Sequence, residues 1–356
     1  MAKLPVLNIG KYTPKYPIFQ GAMGVKISGA GLAGAVAKSG GVGTIASVGI
    51  ACDHPLYNGR NYFDVNEIAV AEAVKSARET APDGVIAVNC MVALTDYDRQ
   101  VKSACRTGVD IIVSGAGLPM KLPEYTKDFP DVAIVPIVSS VKAADLIVRK
   151  WGKQYGRLPD AIMAETPLYA GGHLGATRME QVTNPEFSLE KVIPELVKYV
   201  SDTVKADIPV IAAGGVWDRS DIDRMFALGA NGVQMGTRFV CTEECDASER
   251  FKQAYIDATE DDILVIMSPA GLPGRAIMNP FVEKYLSDTA ESKPCMAACL
   301  SHCKYLENRT TFCIAHALVD AYMGDWETGL FFVGSNAVKC SEISTVAAIF
   351  KELVGE

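Results

Sequence analysis

A closed (β/α)8 barrel of the TIM type, α/β in class and carrying a C-terminal helical appendage, is predicted by three observations. Between Tyr16 and about Ile256, short apolar runs alternate with longer amphipathic stretches. The runs are continuously apolar, which marks strands buried on both faces, as in parallel sheets. There are eight of them, and most lead into a helical pattern, which suits a closed barrel better than an open sheet.

The predicted strands are 17–20, 42–46, 85–89, 109–113, 132–137, 161–164, 209–212 and 232–235. Helical patterns lie between them, for example at 66–78, 141–151, 189–204 and 220–228. The last hundred residues read differently. They hold a Gly/Pro-rich loop at 268–280, a cysteine cluster, and helix-like runs at 312–322 and 343–354. The expected organisation is a barrel over residues 1–260 and a loop-and-helix segment over 261–356.

With 49% hydrophobic and 21% charged residues, the 356-residue chain has the balance of a globular protein and not of a disordered or fibrous one. Its 34 Lys and Arg against 42 Asp and Glu give a net charge of −8, and no basic stripe interrupts it. Nucleic-acid binding is therefore not expected. The start, Met1-Ala2-Lys3-Leu4-Pro5, lacks the apolar core of a signal peptide. Charge-free stretches such as 40–52 are shorter than the roughly 18 residues of a membrane span. The expectation is a cytoplasmic protein without a membrane partner, whose ten cysteines are reduced thiols or metal ligands.

Gly29, Gly31 and Gly34 spell G-x-G-x-x-G, the letters of a dinucleotide fingerprint. That motif needs a strand feeding directly into the glycines, and the nearest strand ends near Gln20. A small-residue helix packed on the barrel is the expected structure. Other glycine turns fall at predicted strand ends, where barrel enzymes build their sites: Gly21-Ala22-Met23, Gly115-Ala116-Gly117, Gly171-Gly172-His173, Gly214-Gly215 and Gly236-Thr237. Gly214, Gly215, Gly236 and Thr237 follow the seventh and eighth strands, the usual phosphate position of such barrels. Tight strand–helix packing without a ligand is the alternative.

The strings PIFQGAMG, VNCMV, VSGAGLP, AETPLYAGGHLG, IPVIAAGGV and GVQMGTRFV occur in that order. Together they resemble the nitronate monooxygenase (2-nitropropane dioxygenase) family, which also holds FMN-dependent enoyl-[acyl carrier protein] reductases and some NAD(P)H:quinone reductases. The resemblance runs from Pro17 to about Val240 and returns weakly at SPAGLPGRAIMNP and GLFFVGSNA. It implies FMN bound without a covalent link at the C-terminal mouth of the barrel in 1–260. Gly21, Ala22 and Met23 would lie against the isoalloxazine and Asn89 would hydrogen-bond it. Gly172 would line the cofactor, Gly214, Gly215, Gly236 and Thr237 would hold its phosphate, and Gln234 and Met235 belong to the same strand-eight motif. An apolar, glycine-lined slot suits a flat aromatic ring independently of any resemblance.

The chain has four histidines, and His173 follows two glycines at a predicted strand end, where barrel catalysts project. Its ordinary pKa near 6.5 suits proton transfer. A satisfied structural histidine is the alternative. In the resembled family the histidine of this motif sits beside the flavin as base or proton donor. A nitronate monooxygenase would oxidise a nitronate with O2 to a carbonyl compound and nitrite, with His173 as base. An enoyl-thioester reductase would draw hydride from NAD(P)H instead, with His173 assisting protonation. Glu165 would orient His173 or flavin, or simply end its strand. The Thr166–Tyr169 segment departs from many relatives, which leaves the substrate class open between a small molecule and an acyl thioester. A homodimer is a further expectation.

Cys295, Cys299 and Cys303 are spaced i, i+4, i+8, one drifting helix face, and Cys313 follows. Four soft ligands suit an iron–sulfur cluster or zinc, whereas buried thiols also serve as small apolar residues. The x3 spacing matches neither zinc knuckles nor bacterial ferredoxins. Cys241 and Cys245 are expected to pack on a helix face. A non-flavin barrel aldolase or sugar-phosphate isomerase would need a barrel-facing lysine or carboxylate pair; Lys142 and Asp145 come nearest, and a helix surface explains them more simply.

Overall fold

The computed structural model describes residues 3–173, 175–291, 293–295, 297–308 and 312–355. Of the residues singled out above, Met1, Ala2 and Leu174 lie outside them.

The continuous apolar runs do close a barrel. Its strands are β1 (Ile18–Gln20), β2 (Val42–Ala46), β3 (Val85–Met91), β4 (Ile111–Gly115), β5 (Ala133–Val138) and β6 (Ile162–Glu165). After a two-residue strand outside the barrel, β7 (Gly172–His173), come β8 (Val210–Ala213) and β9 (Gly232–Met235). The order is β1-β2-β3-β4-β5-β6-β8-β9, all parallel, and β1 closes onto β9 with Phe19 opposite Gln234. Helices α1 (Ala30–Lys38), α2 (Tyr62–Thr80), α3 (Tyr97–Arg106), α4 (Leu122–Tyr125), α5 (Val141–Tyr155), α6 (Leu189–Lys198) and α7 (Arg219–Ala227) return the chain between strands.

Every second strand residue points inward. Phe19, Val42, Ala87, Ile111, Val113, Val135, Met163 and Ile211 fill the interior, and Leu7 and Ile9 plug the bottom. The outward set packs on the helices, with Trp151 of α5 wholly buried. Burying one such large side chain contributes roughly 1.5–3 kcal/mol. Local signals agree with the packing: Ser140 caps α5 by accepting Ala143 N–H (3.3 Å), and Gly156, at φ +63°, ends it. The predicted 189–204 helix is α-helical only to Lys198 and continues as a π-turn to Val204.

Beyond the barrel come α8 (Glu249–Asp257), β10 (Ile263–Met267), β11 (Pro273–Ile277), α9 (Pro280–Leu286), α10 (Lys304–Asn308), α11 (Ile314–Met323) and α12 (Val346–Val354). The 268–280 stretch, predicted as loop, holds β11, which pairs antiparallel with β10 and with β7. Pro273 stands at the strand's first position, where its missing N–H is tolerated. No described helix is long and apolar enough to cross a membrane.

Candidate active site

The C-terminal ends of the eight barrel strands converge on one mouth. At β1, the buried Gln20 accepts Thr44 N–H (2.9 Å) and donates to Ser28 Oγ (2.7 Å), holding the turn that follows. Gly21 N–H donates to Met235 O (2.9 Å), tying β1 to β9. A side chain on Gly21 would meet Gly236 Cα at 3.2 Å, so glycine lets the two ends touch. Met23 donates its N–H to Ser28 Oγ (2.9 Å) and sets its thioether beside Gly236. Ala22 lies between them, half-buried, and Gln234 packs at the same junction. Met235 differs, because its side chain is wholly buried among the outward-facing residues that pack on the helices.

Around the rim, Asn89 of β3 presents a buried Oδ1 with no hydrogen-bond partner among the described residues. Gly214 and Gly215 follow β8 at φ +103° and +74°, left-handed conformations that favour glycine. Tyr169 packs its ring on Gly215. Thr237 opens a 3-10 turn after β9, and Gly334 from the C-terminal segment passes directly over its hydroxyl.

His173 comes from β7, not from a barrel strand. Its strand pairs with β11, with His173 opposite Gly274 and Gly172 opposite Arg275. Arg275 is buried and donates to the carbonyls of Leu168 (2.8 Å) and Ala170, which fastens the loop between β6 and β7. Among the described residues it has no acidic partner, and burial pulls its pKa down. His173 Nε2 lies 2.8 Å from Ser268 Oγ, and its ring meets Phe332 edge-on at 5.2 Å between centroids. Burial lowers the imidazole to about 4, so the ring is neutral at pH 7. At the end of β6, burial pushes the Glu165 carboxyl up to about 7. No hydrogen bond joins Glu165 to His173 among the described residues.

Thus Gly21, Ala22, Met23, Asn89, Gly172, His173, Gly214, Gly215, Gln234, Gly236 and Thr237 share one mouth. Ser268, Arg275 and Phe332 join them and were not foreseen. The only sequence signal for them was that Ser268 and Arg275 fall in SPAGLPGRAIMNP and Phe332 in GLFFVGSNA. A bound flavin fits what is present. Asn89 offers an unused acceptor, and a side chain on Gly236 would meet nothing nearer than the Met23 sulfur at 3.6 Å. One on Gly172 would meet nothing nearer than the Phe332 ring, also at 3.6 Å.

Other expectations change. Cys295, Cys299 and Cys303 do not share a helix face, because residues 298–301 lie along the loop after β3 instead. Thr95 N–H donates to Cys299 O (3.0 Å) and Ser301 N–H to Ala93 O (2.9 Å). Burial, then Cys313, Cys295 and Cys303, push the Cys299 thiol up to about 12. No three His, Cys, Asp or Glu among the described residues stand so as to hold a metal. None of the ten cysteines is in a disulfide. Cys241 and Cys245 sit in a buried turn rather than on a helix. Lys142 and Asp145 do lie on α5, where Asp145 pairs with Arg149 at 2.8 Å.

The fold is a closed (β/α)8 barrel of the TIM type, with the site residues gathered at its C-terminal mouth. The nitronate monooxygenase family model matches residues 7–356, and the chain belongs to that family. It is 38% identical over 125 residues to a probable nitronate monooxygenase of Staphylococcus aureus (strain JH9), a stretch covering 35% of this chain and 33% of the relative. FabK from Thermotoga maritima superposes with a TM-score of 0.72 at 26% identity, covering 96% of this chain and 92% of FabK. Nitroalkane oxidase from Streptomyces ansochromogenes shares the fold, with a TM-score of 0.69 at 18% identity and coverage of 96% and 95%.

Proposed function

We propose that the protein oxidises alkyl nitronates with O2 to a carbonyl compound and nitrite. The observation that carries this is His173, on a strand paired with β11, beside a barrel mouth whose turns are lined by Gly21, Gly214, Gly215 and Gly236. Family membership and the curated relatives support it. FMN supplies the redox chemistry when bound. Gly214, Gly215, Gly236 and Thr237 would hold its phosphate, through backbone N–H groups that approach an anion closely. Gly21, Ala22 and Met23 would lie against the ring and Asn89 would hydrogen-bond it, with Gln234 and Met235 supporting from β9. Residues 1–260 would carry the cofactor while 261–356 close over it.

A second reading is reduction of an enoyl thioester with NAD(P)H. The likeness to FabK across nearly the whole chain favours it. An iron–sulfur centre on Cys295, Cys299, Cys303 and Cys313 would also suit a reductase, but their placement lends it no support.

An anaerobic absorbance titration separates these readings. Bleaching of bound flavin by nitronate alone supports the oxidase, and bleaching by NADH or NADPH supports the reductase. Purified protein that neither contains nor takes up FMN overturns both. Iron analysis of the same sample decides the cysteine centre.

A further inference from the structure

Cys241 and Cys340 are far apart in the chain, and folding brings their thiols into hydrogen-bond contact. Both are buried, at 4% and 7% exposed. Each sulfur also approaches a backbone carbonyl, Cys241 Sγ lying 3.7 Å from Lys252 O and Cys340 Sγ 3.9 Å from Thr237 O. Main-chain bonds hold the two segments together. Ser344 N–H donates to Cys241 O (3.0 Å), Glu243 N–H to Ser344 O (2.9 Å), and Cys340 N–H to Ala337 O (2.9 Å).

The pair is open to small molecules. Both cysteines line a cavity of about 90 Å³ together with Trp217, Arg238 and Lys339. That is several times the space one water needs, enough for hydrogen peroxide. Arg238 lies 4.6 Å from the centre of the Trp217 ring and Lys339 5.9 Å. Glu342 and Glu352 share the lining, Glu352 being paired with Arg238. The hydrogen bond to Cys340, and then burial, push the Cys241 thiol well above its ordinary pKa. Of the two, Cys241 is therefore the one that keeps its proton, and Cys340, the more exposed, is the attacking sulfur.

We propose that Cys241 and Cys340 are a reversible redox pair, whose disulfide is formed by a small hydroperoxide and fastens the C-terminal segment to the turn after β9. Cys340 attacks one peroxide oxygen as the O–O bond breaks. Its sulfur becomes a sulfenic acid, and the departing hydroxide takes up a proton to leave as water. Cys241 then attacks that sulfur, the S–O bond breaks, and the second oxygen leaves as water with the Cys241 proton. Two thiols thus give two electrons and two protons to one peroxide, and a dithiol reductant returns them. The bond closes on the turn of Thr237, over whose hydroxyl Gly334 already passes. Oxidation therefore holds residues 334–340 down on that turn. Any effect on the cofactor rests on the proposal that Thr237 holds the FMN phosphate, whereas formation of the disulfide does not.

The test uses the full chain loaded with FMN, treated with a few equivalents of hydrogen peroxide, alkylated and digested. Mass spectrometry should find Cys241 and Cys340 in one cross-linked peptide that dithiothreitol separates. It should form about tenfold or more faster in folded than in urea-unfolded protein. The oxidised protein should melt about 5 °C higher and release FMN about tenfold more slowly. Cys340→Ser should lose the cross-link and the melting shift. Cys245→Ser should keep both, because Cys245 is buried in the same cluster but is not on the cavity. Peroxide that leaves both cysteines as thiols, or drives Cys340 to a sulfinic acid without a cross-link, overturns the inference. If Cys340→Ser does not fold, the wild-type peptide map decides alone. A cross-linked protein that releases FMN as fast as the reduced one upholds the redox pair and removes Thr237 from the phosphate site.

Discussion

The carboxylate of Asp246 accepts the backbone N–H of Gly29 at 2.9 Å, joining residues 217 positions apart. It also takes the N–H groups of Gly31 (2.9 Å) and Leu32 (3.0 Å), so it occupies the N-terminus of α1. This is where the G-x-G-x-x-G letters would place a pyrophosphate. Glycine is required at Gly29 because a side chain there would meet the Asp246 carboxyl at 2.6 Å. The glycines serve a protein carboxylate, not a nucleotide.

Replacing that carboxylate should cost stability. Asp246→Ala leaves three amides without their acceptor and should destabilise the fold by about 1–3 kcal/mol. Chemical denaturation checks this, and Asp246→Asn should recover part of the loss.

Glu165 gives the fold a pH dependence near neutrality. Its native pKa, about 7, exceeds the ordinary 4.5, so the native state binds more protons between those values. Stability therefore falls as pH rises through that window. Melting curves of flavin-stripped protein should show Glu165→Gln gaining roughly 3 °C over wild type at pH 8 and little at pH 4.5.

His173 acts in the opposite direction. Its native pKa, about 4, lies below the ordinary 6.5, so the unfolded chain takes up the proton first as pH falls. Wild-type stability should decline from pH 6.5 toward pH 4, and His173→Gln should lessen that decline. Unfolding midpoints across that range measure it.

Gly236 separates fold from cofactor. A Cβ there meets no atom nearer than 3.6 Å, so Gly236→Ala should melt within about 2 °C of wild type. FMN should nonetheless bind about tenfold or more weakly, as fluorescence titration would record.

The barrel was legible because a strand buried on both faces leaves an unbroken apolar run, and such runs at 42–46 and 232–235 coincide with β2 and β9. The β10–β11 hairpin was not legible. Pro273 and Gly274 read as loop residues, and β11 is a strand because it is held between β10 and β7. Ser268 carries no chemical signature of its own and matters only through a histidine 95 residues away. Asp246 was hidden for the same reason. The cysteine spacing suggested a helix face, but contacts with the loop after β3 outweighed that local periodicity.

The pairing of β7 with β11 bears on how the protein is made. A ribosome that has delivered 260 residues has supplied every barrel strand, yet β11, which holds His173, is still to come. During synthesis the barrel can close before its mouth is complete. His173 takes its place only after β11, at Pro273–Ile277, has been translated and has folded back.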